Sequence, residues 1–164
     1  MRGETVEYDD NLPLKIAPEV RSLLDERGIR DEDIRQVLAY AERENLFHTN
    51  RSTGHKLAYF CSSKVTYWVE YAREEGGVRV FTAYSHRMKI LEGFNMPPKK
   101  AAHEADWVCA RCDVPLEMAA VQLAYLDETF AVDIPACPSC QRVLVTEENA
   151  VVKMAMAERM LEDK

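Results

Sequence analysis

The sequence predicts an α+β protein: an N-terminal helical hairpin plus a three-stranded antiparallel sheet, followed by a four-cysteine module that ends in a helix. Three observations predict this. Apolar residues recur at helical spacing as far as Ala41, the period changes to two from Lys56 onward, and two C-x-x-C pairs follow a proline-containing break. With 164 residues, 47% hydrophobic and 30% charged, the chain has the composition of one folded domain or two small ones.

Pro18 to Gly28 reads as the first helix, with Val20, Leu23 and Leu24 on one face and Gly28 as its stop. Asp31 to Ala41 reads as the second, with three acidic residues in its first turn and Ile34, Val37, Leu38 and Ala41 at helical spacing. The short Gly28-Ile29-Arg30 link folds them into a hairpin. Leu57–Cys61, Val65–Tyr71 and Val78–Tyr84 are alternating segments separated by short polar turns, which predicts a meander. Met96-Pro97-Pro98-Lys99-Lys100 then breaks regular structure, dividing an α+β domain, 1–98, from a ribbon module, 99–164. In that module Val121–Tyr125 and Thr129–Ile134 read as strands, Arg142–Val145 as a short returning strand, and Thr146 as the N-cap of a terminal helix.

Net charge is uneven. Residues 1–45 carry -5, residues 46–100 carry +5 and residues 101–164 carry -7, for a total of -7. A pI of about 5.2 argues against a nucleic-acid binder of the usual basic type. No apolar run approaches the roughly 20 residues needed to span a bilayer, and the first residues lack the apolar core of a signal peptide. A cytoplasmic protein with no membrane partner is expected.

The strongest signal is Cys109-Ala-Arg-Cys112 and Cys137-Pro-Ser-Cys140, with 24 residues between the pairs. Each C-x-x-C loop sets two thiolates on one side of a tight turn, and two loops complete a tetrahedral shell, as in zinc ribbons and rubredoxin-like sites. Disulfides are disfavoured in the reducing compartment expected here. Neither pair opens a helix in a strand-helix-strand pattern, as a thioredoxin-like motif would. The C-x4-C-x2-C spacing of plant-type two-iron clusters is absent. Four thiolates close the shell, so a structural, non-hydrolytic site is expected. Both zinc and iron accept four sulfurs. Knuckles of the rubredoxin kind usually place Gly after the second Cys, where Asp113 and Gln141 stand here, and that departure favours zinc.

Two partial resemblances accompany these residues. Cys109-Ala-Arg-Cys112-Asp-Val-Pro-Leu116, Cys137-Pro-Ser-Cys140 and Thr146-Glu-Glu148 before a Met-rich helix resemble the C-terminal part of a family of uncharacterised bacterial redox or metal-binding proteins of anaerobes. The resemblance implies a metal site at the four cysteines and no particular reaction. Arg27 to Ile34 and the strand ending Thr82-Ala-Tyr84-Ser-His86-Arg87 resemble RelE/ParE toxin-like domains. That likeness implies Tyr84, His86 and Arg87, with Lys56 and Lys64, as anion or RNA contacts.

The remaining candidates have plainer readings. Cys61 is expected to be a buried free cysteine, and Tyr67, Trp68 and Tyr71 to be core and cross-strand residues rather than base-stacking ones. His48, His55 and His103 lack partners at ligand spacing and read as surface residues. The sequence thus points to a non-catalytic, zinc-ribbon-like accessory protein that partners another protein or its own copies. The alternatives are a rubredoxin-like iron electron-transfer protein and, behind it, an RNA-binding or RNA-cleaving domain.

Overall fold

The computed structural model describes residues 11–96 and 107–163. In chain order these form β1 (Leu14–Ile16), α1 (Pro18–Arg27), α2 (Asp31–Glu44), β2 (His48–Asn50), β3 (Lys56–Ser62), β4 (Val65–Glu74), β5 (Gly77–His86), β6 (Lys89–Met96), β7 (Trp107–Cys109), β8 (Val114–Pro115), β9 (Glu117–Tyr125) and β10 (Glu128–Ala136). A π-helical stretch, Asn149–Met154, then runs into α3 (Ala155–Glu162).

This architecture corrects the predicted fold class. The expected three-stranded sheet is the middle of a seven-stranded mixed sheet, ordered β1-β5-β4-β3-β2-β7-β8. β1 adds to β5 in parallel, and β2 pairs with both β3 and β7. β6 leaves the meander and pairs with β9 in a second sheet, ordered β10-β9-β6. The added strands β1, β2 and β7 have three residues each and β8 two, too short for a period of two to register in sequence. The predicted strand Arg142–Val145 is reduced to one bridge between Ala136 and Val143. Val143, Leu144 and Val145 are all buried, so this segment threads the core instead of edging a sheet. The break at Pro97–Lys100 and His103 lie outside the described residues.

The large sheet is covered on both faces. Leu24, Ile34, Val37 and Leu38 of α1 and α2 pack on Ala58, Val69, Tyr71 and Val80. Leu57, Tyr59, Trp68 and Tyr84 form the other face and pack with Val121, Leu123, Ile134, Val143 and Met154. β4 and β5 bury side chains on both faces, Trp68 and Tyr84 on one and Val69 and Ala83 on the other. α1 ends as its glycine suggested: Gly28 has φ 70°, and the Ile29 N–H reaches the Leu24 carbonyl at 2.9 Å. Gly77 is required by close approach, since a Cβ there would meet the Pro13 carbonyl oxygen at 2.7 Å where β1 docks. No helix among the described residues is long and apolar enough to cross a membrane.

Candidate metal centre

The first knuckle leaves β7, whose Cys109 faces His48 of β2 in register. The second leaves the end of β10. Each is closed by the same main-chain bond. The Asp113 N–H donates to the Cys109 carbonyl at 2.7 Å, and the Gln141 N–H to the Cys137 carbonyl at 2.9 Å. Asp113 and Gln141 have φ values of 59° and 70°, so both adopt the left-handed backbone that glycine usually supplies at this place. The knuckle geometry is therefore kept without glycine, and the missing glycines do not separate zinc from iron.

The turns bring Cys109, Cys112, Cys137 and Cys140 together, with all four Sγ atoms within 4.8 Å of one another. A tetrahedral shell with bonds of about 2.3 Å sets sulfurs roughly 3.8 Å apart, and Cys109 Sγ lies 3.7 Å from Cys140 Sγ. The donor set fits one metal ion. The N–H groups of Ser139 and Cys140 both donate to Cys137 Sγ at 3.3 Å. Burial pushes the Cys109 thiol up and Cys140 up to about 12, while a hydrogen bond from Ser139 is the main cause lowering Cys112. Four such sulfurs share a partly buried pocket as anions only if a cation joins them.

The shell is seated on the large sheet by long-range contacts that the sequence analysis did not foresee. His48, expected at the surface, is 1% exposed, and its Nε2–H donates to the Val143 carbonyl at 2.8 Å. Burial lowers its pKa to about 4, keeping the ring neutral. The Arg142 guanidinium lies 4.5 Å over the Tyr59 ring, which itself stacks on Trp68 at 4.2 Å between centroids. Tyr84 donates to the Val145 carbonyl at 2.7 Å, and Arg27 pairs with Glu147 at 2.7 Å. No spacing rule links His48 to Val143, Tyr59 to Arg142, Tyr84 to Val145 or Arg27 to Glu147, because these pairs lie 61 to 120 positions apart in the chain.

The residues suggested as anion or RNA contacts are placed differently. Tyr84 and His86 are buried, at 2% and 3% exposure. Met88 and Trp68 fix the His86 ring: the Met88 carbonyl accepts from Nδ1 at 2.8 Å, and the Trp68 indole N–H donates to Nε2 at 3.0 Å. Burial lowers the pKa of this neutral ring to about 4. Arg87 is bound to Glu158 and Glu162. This trio is thus divided between the core, which takes Tyr84 and His86, and an ion-pair cluster, which takes Arg87. Lys56 is likewise taken, pairing with Glu42 at 3.1 Å. Cys61 is exposed, not buried, and its Sγ lies 3.7 Å from the Ser63 carbonyl. His55 pairs with Glu70 at 2.7 Å and stacks on Phe81, the residue left unpaired by a bulge between β4 and β5. Trp68 and Tyr71 are buried as expected.

No curated protein and no solved structure matches the chain. Residues 105–164, which carry the whole four-cysteine cluster and the terminal helix, match the model of one family, described as a domain of unknown function, DUF7479.

Proposed function

We propose that the protein is a non-catalytic, metal-binding accessory protein in which four thiolates hold one zinc ion as a structural clasp. The observation that carries this reading is the convergence of Cys109, Cys112, Cys137 and Cys140 to within 4.8 Å. When bound, zinc neutralises the sulfur charge and ties the two knuckles. A shell of four thiolates keeps no open position for water or substrate. What the chain's own residues supply is orientation: the Ser139 and Cys140 amides aim at Cys137 Sγ, and His48 holds the segment that follows the second knuckle. Metal analysis of protein expressed without a chelating tag tests the reading, with one zinc per chain expected.

A second reading is iron electron transfer at the same sulfurs. Two amides on Cys137 Sγ favour it, because hydrogen bonds to thiolate raise the potential of an iron–sulfur site. Iron gives a red protein with a reversible charge-transfer band. Colourless protein holding only zinc, after anaerobic expression with iron supplied, removes it.

A further inference from the structure

β10 is the outermost strand of the small sheet and pairs with β9 along all nine of its residues without a register shift. Tyr125 and Glu128 close a two-residue loop at Leu126 and Asp127, whose φ values are 50° and 69°. This turn sets which backbone groups face β9. Those of Glu128, Phe130 and Val132 do, while those of Thr129, Ala131 and Pro135 face away. The alternation is visible at Pro135, whose carbonyl accepts the Leu144 N–H at 2.9 Å on the outer side. Among the described residues no strand pairs with the outer edge around Thr129 and Ala131. Thr129-Phe-Ala-Val132 has no charge, proline or bulge, the usual devices that blunt an edge.

Apolar surface lies beside this edge. Phe130 and Val132 pack only partly against the core. A cavity of about 260 Å³ opens between Val132, Ile134, Val145 and Met154, with Lys153 on its wall. Met156 and Met160, three and seven residues after Lys153, continue that side of the helix and are 54% and 65% exposed.

We infer that this edge pairs with the same edge of a second copy, antiparallel, about a two-fold axis through Ala131. Alternation is met by a register centred on any one residue, since outward-facing residues then oppose outward-facing ones, and centring on Ala131 puts the small residue of the uncharged stretch on the axis. Phe130 then faces Val132 of the second copy, an aromatic–β-branched pair, and no like charges oppose each other. The charges also complement. The helix starts beside Ile134, where Asn149 and Lys153 share the cavity wall, and ends near Tyr125, which bonds Glu162. It therefore runs antiparallel to β10, and the two-fold sets Glu128 opposite Ile134 of the second copy, beside that copy's Lys153. The pairing occurs twice per dimer. The surface is independent of which metal the thiolates hold.

Sedimentation velocity on the full chain across a wide concentration range tests this. The wild type is expected to dimerise. Ala131→Pro is expected to be monomeric with an unchanged circular dichroism spectrum, because it removes an N–H that makes no bond to β9. Glu128→Lys is expected to weaken association about tenfold, and adding Lys153→Glu to restore it. If Ala131→Pro does not fold, the charge-reversal pair decides alone. A wild type that stays monomeric throughout overturns the inference, whether or not the edge accepts a peptide from another protein. So does a dimer indifferent to Glu128→Lys.

Discussion

His48 donates its Nε2–H to the Val143 carbonyl at 2.8 Å, although 95 positions separate them. The same residue is the register partner of Cys109. One side chain in β2 therefore links the strand that delivers the first knuckle to the segment that leaves the second. His48→Leu keeps the volume but removes the donor, leaving a buried carbonyl unpaired. The expected loss is about 1–3 kcal/mol of stability and roughly 10–100-fold in metal affinity. Chelator competition and thermal unfolding measure the two. Wild-type metal affinity in this variant would show that His48 plays no part in seating the site.

Because Cys109 and Cys137 belong to the same core as Leu57, Tyr59, Trp68 and Tyr84, losing the metal must loosen more than the knuckles. Cys137→Ser with Cys140→Ser is expected to speed amide exchange in β7, β9 and β10 and at Tyr59. The α1–α2 side, built on a different set of contacts, stays protected. Uniform exchange across both sides of the large sheet would contradict this division.

How much of this was legible in the sequence follows from element length and contact range. α1 and α2 carried their own periodicity and caps, and β3, β4 and β5 alternated over seven to ten residues. The two C-x-x-C loops are local, so the site residues were readable from spacing. β1, β2, β7 and β8 were not, since two or three residues hold no period and their pairing is decided by partners far away in the chain. His48 read as a surface residue and His86 as an anion contact because what buries them, Val143 in one case and Trp68 in the other, is set by tertiary packing. Tyr84 and His86, two residues apart, share one face of β5 and both lie against Trp68, whereas Arg87 turns to Glu158 and Glu162.

Both buried histidines make stability depend on pH. The folded-state pKa of His86 is lowered to about 4 and that of His48 to about 4, against 6.5 for an exposed ring. The unfolded chain therefore binds more protons below about pH 6.5, so their contribution is complete above that value and is lost as pH falls toward about 4. The full loss is on the order of 3 kcal/mol per ring. His86→Gln retains one donor and one acceptor but does not titrate. Its unfolding free energy is expected to fall less steeply with acid than that of the wild type. An identical slope would remove His86 from the account.

Glu158 is 4% exposed, and its Oε2 accepts the N–H groups of Arg87 at 2.7 Å and Met88 at 2.8 Å. The terminal helix thereby caps the turn between β5 and β6. Glu158→Ala strands two donors and is expected to cost roughly 2–5 kcal/mol, with Glu158→Gln closer to wild type. Urea unfolding of the three proteins checks the order. Equal stability would mean that solvent satisfies the turn.

The φ of 70° at Gln141 crowds its Cβ against the backbone carbonyl, a strain that glycine lacks. Gln141→Gly is expected to stabilise the metal-bound protein by about 1 kcal/mol, and Asp113→Gly by less, because aspartate tolerates the left-handed region better. Thermal unfolding with metal bound measures both, and destabilisation by Gln141→Gly would contradict the strain argument.

Thiol accessibility measured together with metal content tests whether the four clustered cysteines hold a metal ion. Cys61 is exposed and serves as the internal standard. Reduced native protein is expected to hold one zinc per chain, with rapid alkylation at Cys61 and alkylation of Cys109, Cys112, Cys137 and Cys140 only after a strong chelator is added. Metal-free reduced protein in which all five thiols react at similar rates would contradict a metal site there.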